Sequence, residues 1–200
     1  MHLFLDTTFG VTVGLLNKNF EWISYEFSKE KKSSTIIHTL INNVLVSEGL
    51  AIENLSSVVM VAGPGSYTGM RVSKGITDIF EWQNLDIYSF YQFEVPTLLG
   101  MDKGLWHADA FKGEYFFYEF EGDKTQKYLL DKEIGTEKIK DLDIPVFVGR
   151  NKEHESFIET QVLIRDRSQE LFQKIVDTKH KRKLFYYREL DQEFTKAKGL

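Results

Sequence analysis

The sequence contains no cysteine in its 200 residues. Disulfides, zinc sites built on thiolates and cysteine nucleophiles are therefore excluded. No apolar run approaches the roughly 20 residues that a membrane-spanning helix needs. The first residues, MHLFLDTT, include an aspartate at position 6 and no basic segment, which argues against a signal peptide. These absences predict a cytoplasmic protein.

An excess of positive charge is also lacking. Acidic residues outnumber basic ones 30 to 25, which gives a formal net charge of −5. This balance argues against a protein that binds nucleic acid alone by neutralising its phosphates. The content of 42% hydrophobic and 28% charged residues is typical of a folded globular protein. A chain of this length forms one domain or two small lobes.

Apolar residues recur with strand and helix periodicities along the chain. The first half predicts, in order, strands at 2–6, 11–16 and 20–27, a helix from Ser33 or Ser34 to Gly49, a strand at 58–62, a helix at about 69–82 and a strand at 87–93. The second half predicts strands at 105–110, 114–120, 127–130 and 144–148. This order predicts an α/β protein with a mixed sheet and flanking helices. We expect an amino-terminal lobe over 1–98 and a smaller lobe over 99–200.

A glycine-rich segment, VAGPGSYTGMR, follows the strand at 58–62 directly. Its glycines Gly63, Gly65 and Gly69 have the spacing G-x-G-x-x-x-G, one residue too long for a dinucleotide-binding fingerprint. A Walker phosphate loop is excluded because Met70 and Arg71 follow where lysine and a hydroxyl residue are needed. The segment therefore predicts a turn from a strand into a helix.

Two interpretations of this turn remain open. We expect Gly63 to be extended ahead of Pro64, Gly65 to adopt a positive φ, and Ser66 or Thr68 to cap the helix. The first N–H groups of such a helix could receive an anion. The alternative, which is the commoner case, is a structural turn that lets the helix pack closely on the sheet.

The first strand ends in Asp6, Thr7 and Thr8. A carboxylate with hydroxyl groups at a hairpin tip suits contact with a phosphate or with magnesium, which prefers oxygen ligands. The alternative is a local turn in which the side chains bond to the backbone.

These segments together resemble the TsaB (YeaZ) family. The segment GPGSYTGMR is similar to the family's glycine turn, DAFKGEY at 109–115 to its hairpin motif, and FYYR at 185–188 to its last motif. The resemblance implies the actin/Hsp70/sugar-kinase-like (ribonuclease H-like) fold. Two departures stand out: Ser33 replaces the family's histidine near the start of the first helix, and Phe111 replaces an arginine of the hairpin motif.

The resemblance also implies a role. TsaB proteins are noncatalytic subunits that bind their paralogue TsaD, which transfers a threonylcarbamoyl group to adenosine 37 of tRNAs reading ANN codons, while the ATPase TsaE joins the assembly. The chain would then require no cofactor itself, with ATP or ADP and Mg expected at most at the interface with TsaD. It would reach tRNA only through the complex, and alone it could form a homodimer.

The family resemblance places the partner surface on the helices of the amino-terminal lobe. The residues expected there are Ser33, Ile36, Ile37, Leu40, Ile41, Val44, Tyr67, Met70, Arg71 and Lys74. No catalytic or metal-binding residue is predicted, because none of the histidines at 2, 38, 107, 154 and 180 form an H-x-x-x-H pair.

Three alternatives stay open at this point, and one of them is self-association as the only role of the chain. Another is a small-molecule kinase or ATPase of the same superfamily, which would use Asp6 and Thr7 at a nucleotide phosphate and Asp109 as the nearest candidate for a second loop. The third concerns the basic run at 179–183, which is expected to be a solvated segment but could add a phosphate contact to tRNA.

Overall fold

The computed structural model describes residues 1–29, 33–140, 142–150 and 154–188. Within this part of the chain the strands form two five-stranded sheets. The strands of the first sheet are β1 His2–Asp6, β2 Val11–Leu16, β3 Trp22–Ser28, β4 Ser57–Val61 and β5 Asp86–Phe90. Those of the second are β6 Lys103–Asp109, β7 Glu114–Glu121, β8 Lys124–Asp131, β9 Val146–Val148 and β10 Ile158–Glu159. Both sheets are mixed, as predicted.

The first sheet has the order β3-β2-β1-β4-β5. Strands β1, β2 and β3 form an antiparallel meander, whereas β4 pairs in parallel with both β1 and β5. All residues of β2 and β4 are buried, because helices cover both faces of the sheet. The helices α1 (Ser33–Val46) and α2 (Tyr67–Trp82) supply the apolar cover of one face.

The second sheet has the order β10-β9-β6-β7-β8. The hairpin of β6 and β7 extends into β8, which is longer than the predicted strand at 127–130. Helix α4 (Lys132–Lys140) follows β8 directly and packs against β7 and β8. No helix among the described residues is long and apolar enough to cross a membrane.

The division of the chain at residue 98 needs one correction. Helices α5 (Thr160–Asp166) and α6 (Ser168–Asp177) lie in the range assigned to the second lobe, yet they cover the other face of the first sheet. Phe172 of α6, for example, packs in one apolar cluster with Phe4 and Phe90, and the short α3 (Val95–Leu98) joins the same cluster. Helices α5 and α6 return to the first sheet because the sheet then has apolar side chains buried on both of its faces. Residues 189–200 of the predicted second lobe lie outside the described residues.

After α6 the chain returns along the first sheet as a segment that we name the strap (residues 179–188). The backbone N–H of Ser89 donates to the carbonyl of His180 at 3.0 Å, and that of Phe185 donates to the carbonyl of Ala62 at 2.8 Å. The strap thus covers the edge of β5 and reaches the glycine turn.

Candidate functional site

The glycine turn joins β4 to α2 with little room for side chains. The helix begins at Tyr67, two residues before the predicted start, because the Ser66 hydroxyl accepts from the backbone N–H of Gly69 at 3.1 Å and so caps it. Gly63 is not extended as expected. It has a φ of 118°, in a region open to glycine, and its peptide bond to Pro64 is cis. Gly65 has a positive φ of 156°, as expected.

The turn is rich in glycine because it packs closely against the end of β1. A Cβ atom on Gly65 would lie 2.6 Å from the carbonyl oxygen of Thr8, and one on Gly69 would lie 2.2 Å from the carbonyl oxygen of Thr7. The backbone N–H of Ser66 donates to Thr8 at 2.9 Å. Close packing of the helix on the sheet therefore accounts for these two glycines.

Asp6 is buried beneath this turn and all its acceptor capacity is engaged. Its Oδ1 accepts from the backbone N–H of Thr8 at 2.8 Å and from the Thr8 hydroxyl at 2.5 Å. Its Oδ2 accepts from the side-chain amides of Gln92, at 3.0 Å, and of Gln161. Burial raises the pKa of Asp6, while the bonds from Thr8 and the nearby Arg150 guanidinium oppose that shift.

These contacts do not suit a magnesium or phosphate site at Asp6. Both carboxylate oxygens are already held by protein donors, and the Thr7 hydroxyl is bonded to that of Ser73 at 2.9 Å inside the core. The described residues include no group of three or more acidic or histidine side chains that could hold a metal ion. Asp109, the other carboxylate of the kinase alternative, pairs with Lys132 at 2.5 Å.

A cleft of about 620 Å³ lies beside the turn. It opens between the end of β1, the start of α2 and the ends of β6 and β9. Its lining combines hydroxyl, aromatic and charged side chains: Thr8, Phe9, Gly65, Ser66, Tyr67, Thr68, His107, Ala108, Asp109, Phe111, Tyr115, Val148, Gly149 and Arg150. Four of the predicted turn residues, Thr8, Gly65, Ser66 and Thr68, therefore face a shared space with residues of the second sheet.

His107 is one residue of this cleft that sequence reasoning missed. Its side chain is 3% exposed, and neither ring nitrogen has a hydrogen-bond partner among the described residues. Rings of Tyr115, Phe117 and Phe157 surround it. Burial lowers its pKa to about 4, against a weaker effect of Asp109, so the imidazole is neutral at physiological pH.

The residues predicted to bind a partner divide into two groups. Ile37, Ile41, Val44, Met70 and Ser33 are buried within the chain, which corrects their assignment as surface residues. The first three face the sheet because they form the apolar stripe of α1. The others are accessible at least in part: Ile36, Leu40, Tyr67, Arg71 and Lys74. Their role at an interface stays a prediction.

Both helices also carry exposed apolar side chains that were not predicted. Val46 near the end of α1 is 64% exposed, Ile79 of α2 is 50% exposed, and Trp82 at the end of α2 is 81% exposed. We name these three residues the α1–α2 patch. Val46 and Ile79 line a shared groove of about 550 Å³ between the helices. The sequence showed helical periodicity but gave no means of telling which apolar residues the sheet leaves uncovered.

The basic run of the strap is not simply solvated. Lys181 pairs with Glu81 of α2 at 2.6 Å, while His180 and Arg182 both contact the nearly buried carboxylate of Glu94, at 3.2 and 2.7 Å. Burial alone would raise the pKa of Glu94, but the bonds from His180 and Arg182 lower it below its usual range. Three of the five basic residues thus serve the fold, which leaves less charge for a tRNA phosphate.

The chain resembles two curated proteins in sequence. It is 25% identical over 123 residues to the tRNA threonylcarbamoyladenosine biosynthesis protein TsaB of Escherichia coli (strain K12), a match to 56% of this chain and 48% of the relative. It is 27% identical over 153 residues to the protein of that name from Bacillus subtilis (strain 168), a match to 70% of this chain and 65% of the relative. The chain thus spans about half to two thirds of these relatives. No protein-family model matches it.

The fold is similar to that of a solved relative. YeaZ from Pseudomonas aeruginosa superposes with a TM-score of 0.60 over 88% of this chain and 91% of that chain, at 13% identity. At such identity the likeness shows the fold alone. With the two sequence relatives, it confirms the resemblance to the TsaB (YeaZ) family and the actin-like α/β fold that were predicted from the motifs.

Proposed function

We propose that this chain, which resembles the TsaB (YeaZ) family in sequence and fold, is a noncatalytic cytoplasmic subunit in the biosynthesis of threonylcarbamoyladenosine in tRNA. Its two sequence relatives carry that process in their names. In this proposal the chain binds a TsaD-type paralogue, with TsaE joining, and the paralogue transfers the threonylcarbamoyl group to adenosine 37 of tRNAs reading ANN codons. Any ATP or ADP with Mg would lie at that interface.

The observation that carries the proposal is the α1–α2 patch. Its three side chains are among the most exposed large apolar residues that the structure describes. Adjacent exposed apolar residues beside a groove are typical of protein interaction sites. Tryptophan in particular is enriched among the residues that dominate binding energy. Arg71 and Lys74, exposed on the same helix α2, would form part of the polar rim.

The state of Asp6 supports a binding role over catalysis. The carboxylate that a kinase of this fold would direct at a phosphate is instead bonded to Thr8, Gln92 and Gln161. These bonds join β1 to the segment after β5 and to α5. The residue therefore serves as an internal connection between elements, which is the function expected of it in a scaffold.

The partner surface can be tested with the TsaD protein of the same genome. We expect the wild-type chain to co-elute with TsaD on a sizing column. Trp82→Ala combined with Ile79→Ser should abolish co-elution, because the apolar anchors are removed. The matched control is Ile134→Ser, which removes an exposed apolar side chain of α4 on the second sheet and should leave the complex intact. Independent elution of the wild type, or equal loss in the control, would refute the proposed surface.

The biological role needs a separate readout. Depletion of the chain should lower threonylcarbamoyladenosine in tRNA nucleosides measured by mass spectrometry. The wild-type chain and Ile134→Ser should restore the modification, whereas the Trp82→Ala, Ile79→Ser variant should not. Unchanged modification after depletion would reject the role even if the complex forms. Concentration-dependent sizing of the chain alone would show whether the same patch also supports a homodimer.

A further inference from the structure

One lysine of the second sheet lies against four aromatic rings. The ammonium nitrogen of Lys127, in β8, is 4.7 Å from the ring centre of Phe93, 5.3 Å from that of Phe185, 5.7 Å from that of Tyr118 and 6.0 Å from that of Tyr91. We name these four rings the aromatic cage. The cage shares no residue with the α1–α2 patch, so a function of the cage is independent of the partner proposed above.

The cage is built from three separate parts of the chain. Tyr91 and Phe93 follow β5, Tyr118 lies in β7, and Phe185 belongs to the strap. The rings also contact one another: the ring centres of Phe93 and Tyr118 are 4.6 Å apart, and the ring of Phe185 lies 5.1 Å from that of Phe93. Phe93 and Tyr118 are 1% and 7% exposed. Core packing therefore fixes the cage before a cation enters it, which lowers the entropy cost of binding.

The rings are the direct partners of the Lys127 ammonium group. Within the described part of the chain, no hydrogen bond or ion pair joins its nitrogen to another residue. Burial lowers the pKa of Lys127; the carboxylate of Glu94 opposes this shift and the guanidinium of Arg182 adds to it. Glu94 is itself paired with Arg182 at 2.7 Å. Replacing the ammonium hydrogens of Lys127 would therefore break no hydrogen bond to a described residue.

This environment suits a methylated ammonium group better than the unmodified one. A lysine ammonium is strongly hydrated, and placing it against rings removes part of that hydration without offering new acceptors. Methyl groups reduce this cost because they replace N–H groups and add apolar surface, while the positive charge and its attraction to the rings remain. Aromatic cages bind methylated lysine and other quaternary ammonium groups in this way.

Lys127 is also accessible to an enzyme. The side chain is exposed, as are the three residues before it in β8, and β8 is an edge strand of the second sheet. An edge strand presents free backbone groups that a strand of another protein can pair with. The lowered pKa increases the fraction of neutral amine, which is the form that attacks a methyl donor.

We propose that Lys127 is a site of methylation by an enzyme that uses a sulfonium methyl donor, and that the aromatic cage binds the methylated side chain. The lone pair of the neutral amine attacks the methyl carbon, so that a C–N bond forms while the C–S bond breaks. The sulfonium leaves as a neutral thioether and the nitrogen gains the positive charge. It releases a proton to solvent before any further transfer. Because Phe185 is a wall of the cage, methylation strengthens the contact between β8 and the strap.

Peptide mass spectrometry of the chain purified from its own cells tests the modification. We expect one, two or three methyl groups on Lys127 and none on Lys124. Lys124 is the matched control, because it is exposed at the start of the same strand and none of the ring contacts of the cage involves it. An unmodified Lys127, equal methylation of both lysines, or an acyl group on Lys127, which exact mass distinguishes, would each overturn the proposal.

Chemical methylation tests the cage without the enzyme. Formaldehyde and a borane reductant convert the lysines of the intact chain to dimethyllysine, and isotope-labelled formaldehyde makes their methyl groups visible by NMR. The signal that is missing from Lys127→Arg belongs to Lys127, and Lys124→Arg identifies the control signal in the same way. We expect the Lys127 signal upfield of the Lys124 signal, because methyl groups over ring faces are shielded.

A change in one wall connects that shift to the cage. Phe185→Leu removes one ring and should move the Lys127 signal toward that of Lys124. The matched control is Phe111→Leu, which removes an exposed ring outside the cage and should leave the signal in place. Equal Lys127 and Lys124 shifts in the wild-type chain would contradict binding in the cage, even if Phe185→Leu fails to fold.

Discussion

Gly69 lies against Thr7 so closely that a Cβ atom at position 69 would be 2.2 Å from the Thr7 carbonyl oxygen. The oxygen belongs to the backbone at the end of β1, so it cannot move without displacing the strand. The contact fixes how near α2 lies to the sheet. The contact also fixes the entrance to the cleft. Thr8, which follows Thr7, and Thr68, which precedes Gly69, both line the cleft.

Gly69→Ala should therefore be strongly destabilising. We expect the free energy of unfolding to fall by about 1–3 kcal/mol, as is usual for an overpacked buried site. Gly75→Ala on the same helix is the control, because nothing lies within 4 Å of a Cβ atom there. That change should be neutral or stabilise by about 0.5–1 kcal/mol through helix propensity. Urea unfolding of both variants measures the difference, and equal effects would disprove the close contact.

Asp6→Asn should destabilise the chain although it preserves shape. Each carboxylate oxygen accepts two hydrogen bonds, from Thr8 on one side and from Gln92 and Gln161 on the other. The NH₂ group of an asparagine would face donors in either orientation. We expect a loss of at least about 2 kcal/mol in guanidinium unfolding. Asp102→Asn, at an exposed position, should have little effect. A stable Asp6→Asn variant would show that the carboxylate is not held in this way.

The acid sensitivity of the fold should depend on His107. Its pKa is lowered by burial from 6.5 to about 4, so between these values the unfolded chain binds the extra proton. The neutral ring contributes its full stability when the pH is above the pKa of His107 in the unfolded chain. This stability is lost as the pH falls toward the pKa of His107 in the folded chain. The full effect is on the order of 3 kcal/mol.

Chemical denaturation at a series of pH values checks this expectation. The free energy of unfolding of the wild type should fall more steeply between about pH 7 and about pH 4.5 than that of His107→Phe. His154→Phe should keep the wild-type slope. His2, whose pKa is also lowered to about 4, contributes to the slope that remains in the variant. Parallel curves for wild type and His107→Phe would contradict burial of the neutral ring.

Much of the fold could be predicted because its signals are local. The bounds of β1 and β2 match the prediction, since short apolar runs end at polar turns there. Helices α5 and α6 were not predicted. Their range is charged, and their apolar residues become a stripe only against the face of the first sheet that they cover. That face is known only from the assembled fold.

Prediction of the candidate site from the sequence was limited in the same way. The sequence indicated Asp6, Thr8 and the glycine turn as candidate site residues, because a strand end and a strand-to-helix turn carry recognisable residues, but it did not predict that they meet. The amides that hold Asp6 come from Gln92 and Gln161, which are 86 and 155 positions away along the chain. No local pattern indicates such a contact. His107 was likewise one histidine among five until the fold placed it, buried, at the wall of a cleft.

The strap provides the last prediction. Glu94 is 12% exposed, and Arg182 contacts its Oε1 through Nε at 2.8 Å and Nη2 at 2.7 Å. Arg182→Gln removes the charged partner and leaves this buried carboxylate with His180 and the backbone N–H of Tyr91. We expect a loss of about 1–3 kcal/mol, the usual cost of weakening a charged hydrogen bond in a buried site.

Lys183→Gln is the matched control, because it removes one positive charge from the next, exposed position of the strap. Urea unfolding should show a lower midpoint for Arg182→Gln and an unchanged one for Lys183→Gln. If the basic run served chiefly as a phosphate contact, both changes would leave stability alone and weaken tRNA binding by the assembled complex to a similar extent. The ion pairs with Glu94 favour the first outcome, since a guanidinium engaged with a carboxylate is not available to a phosphate.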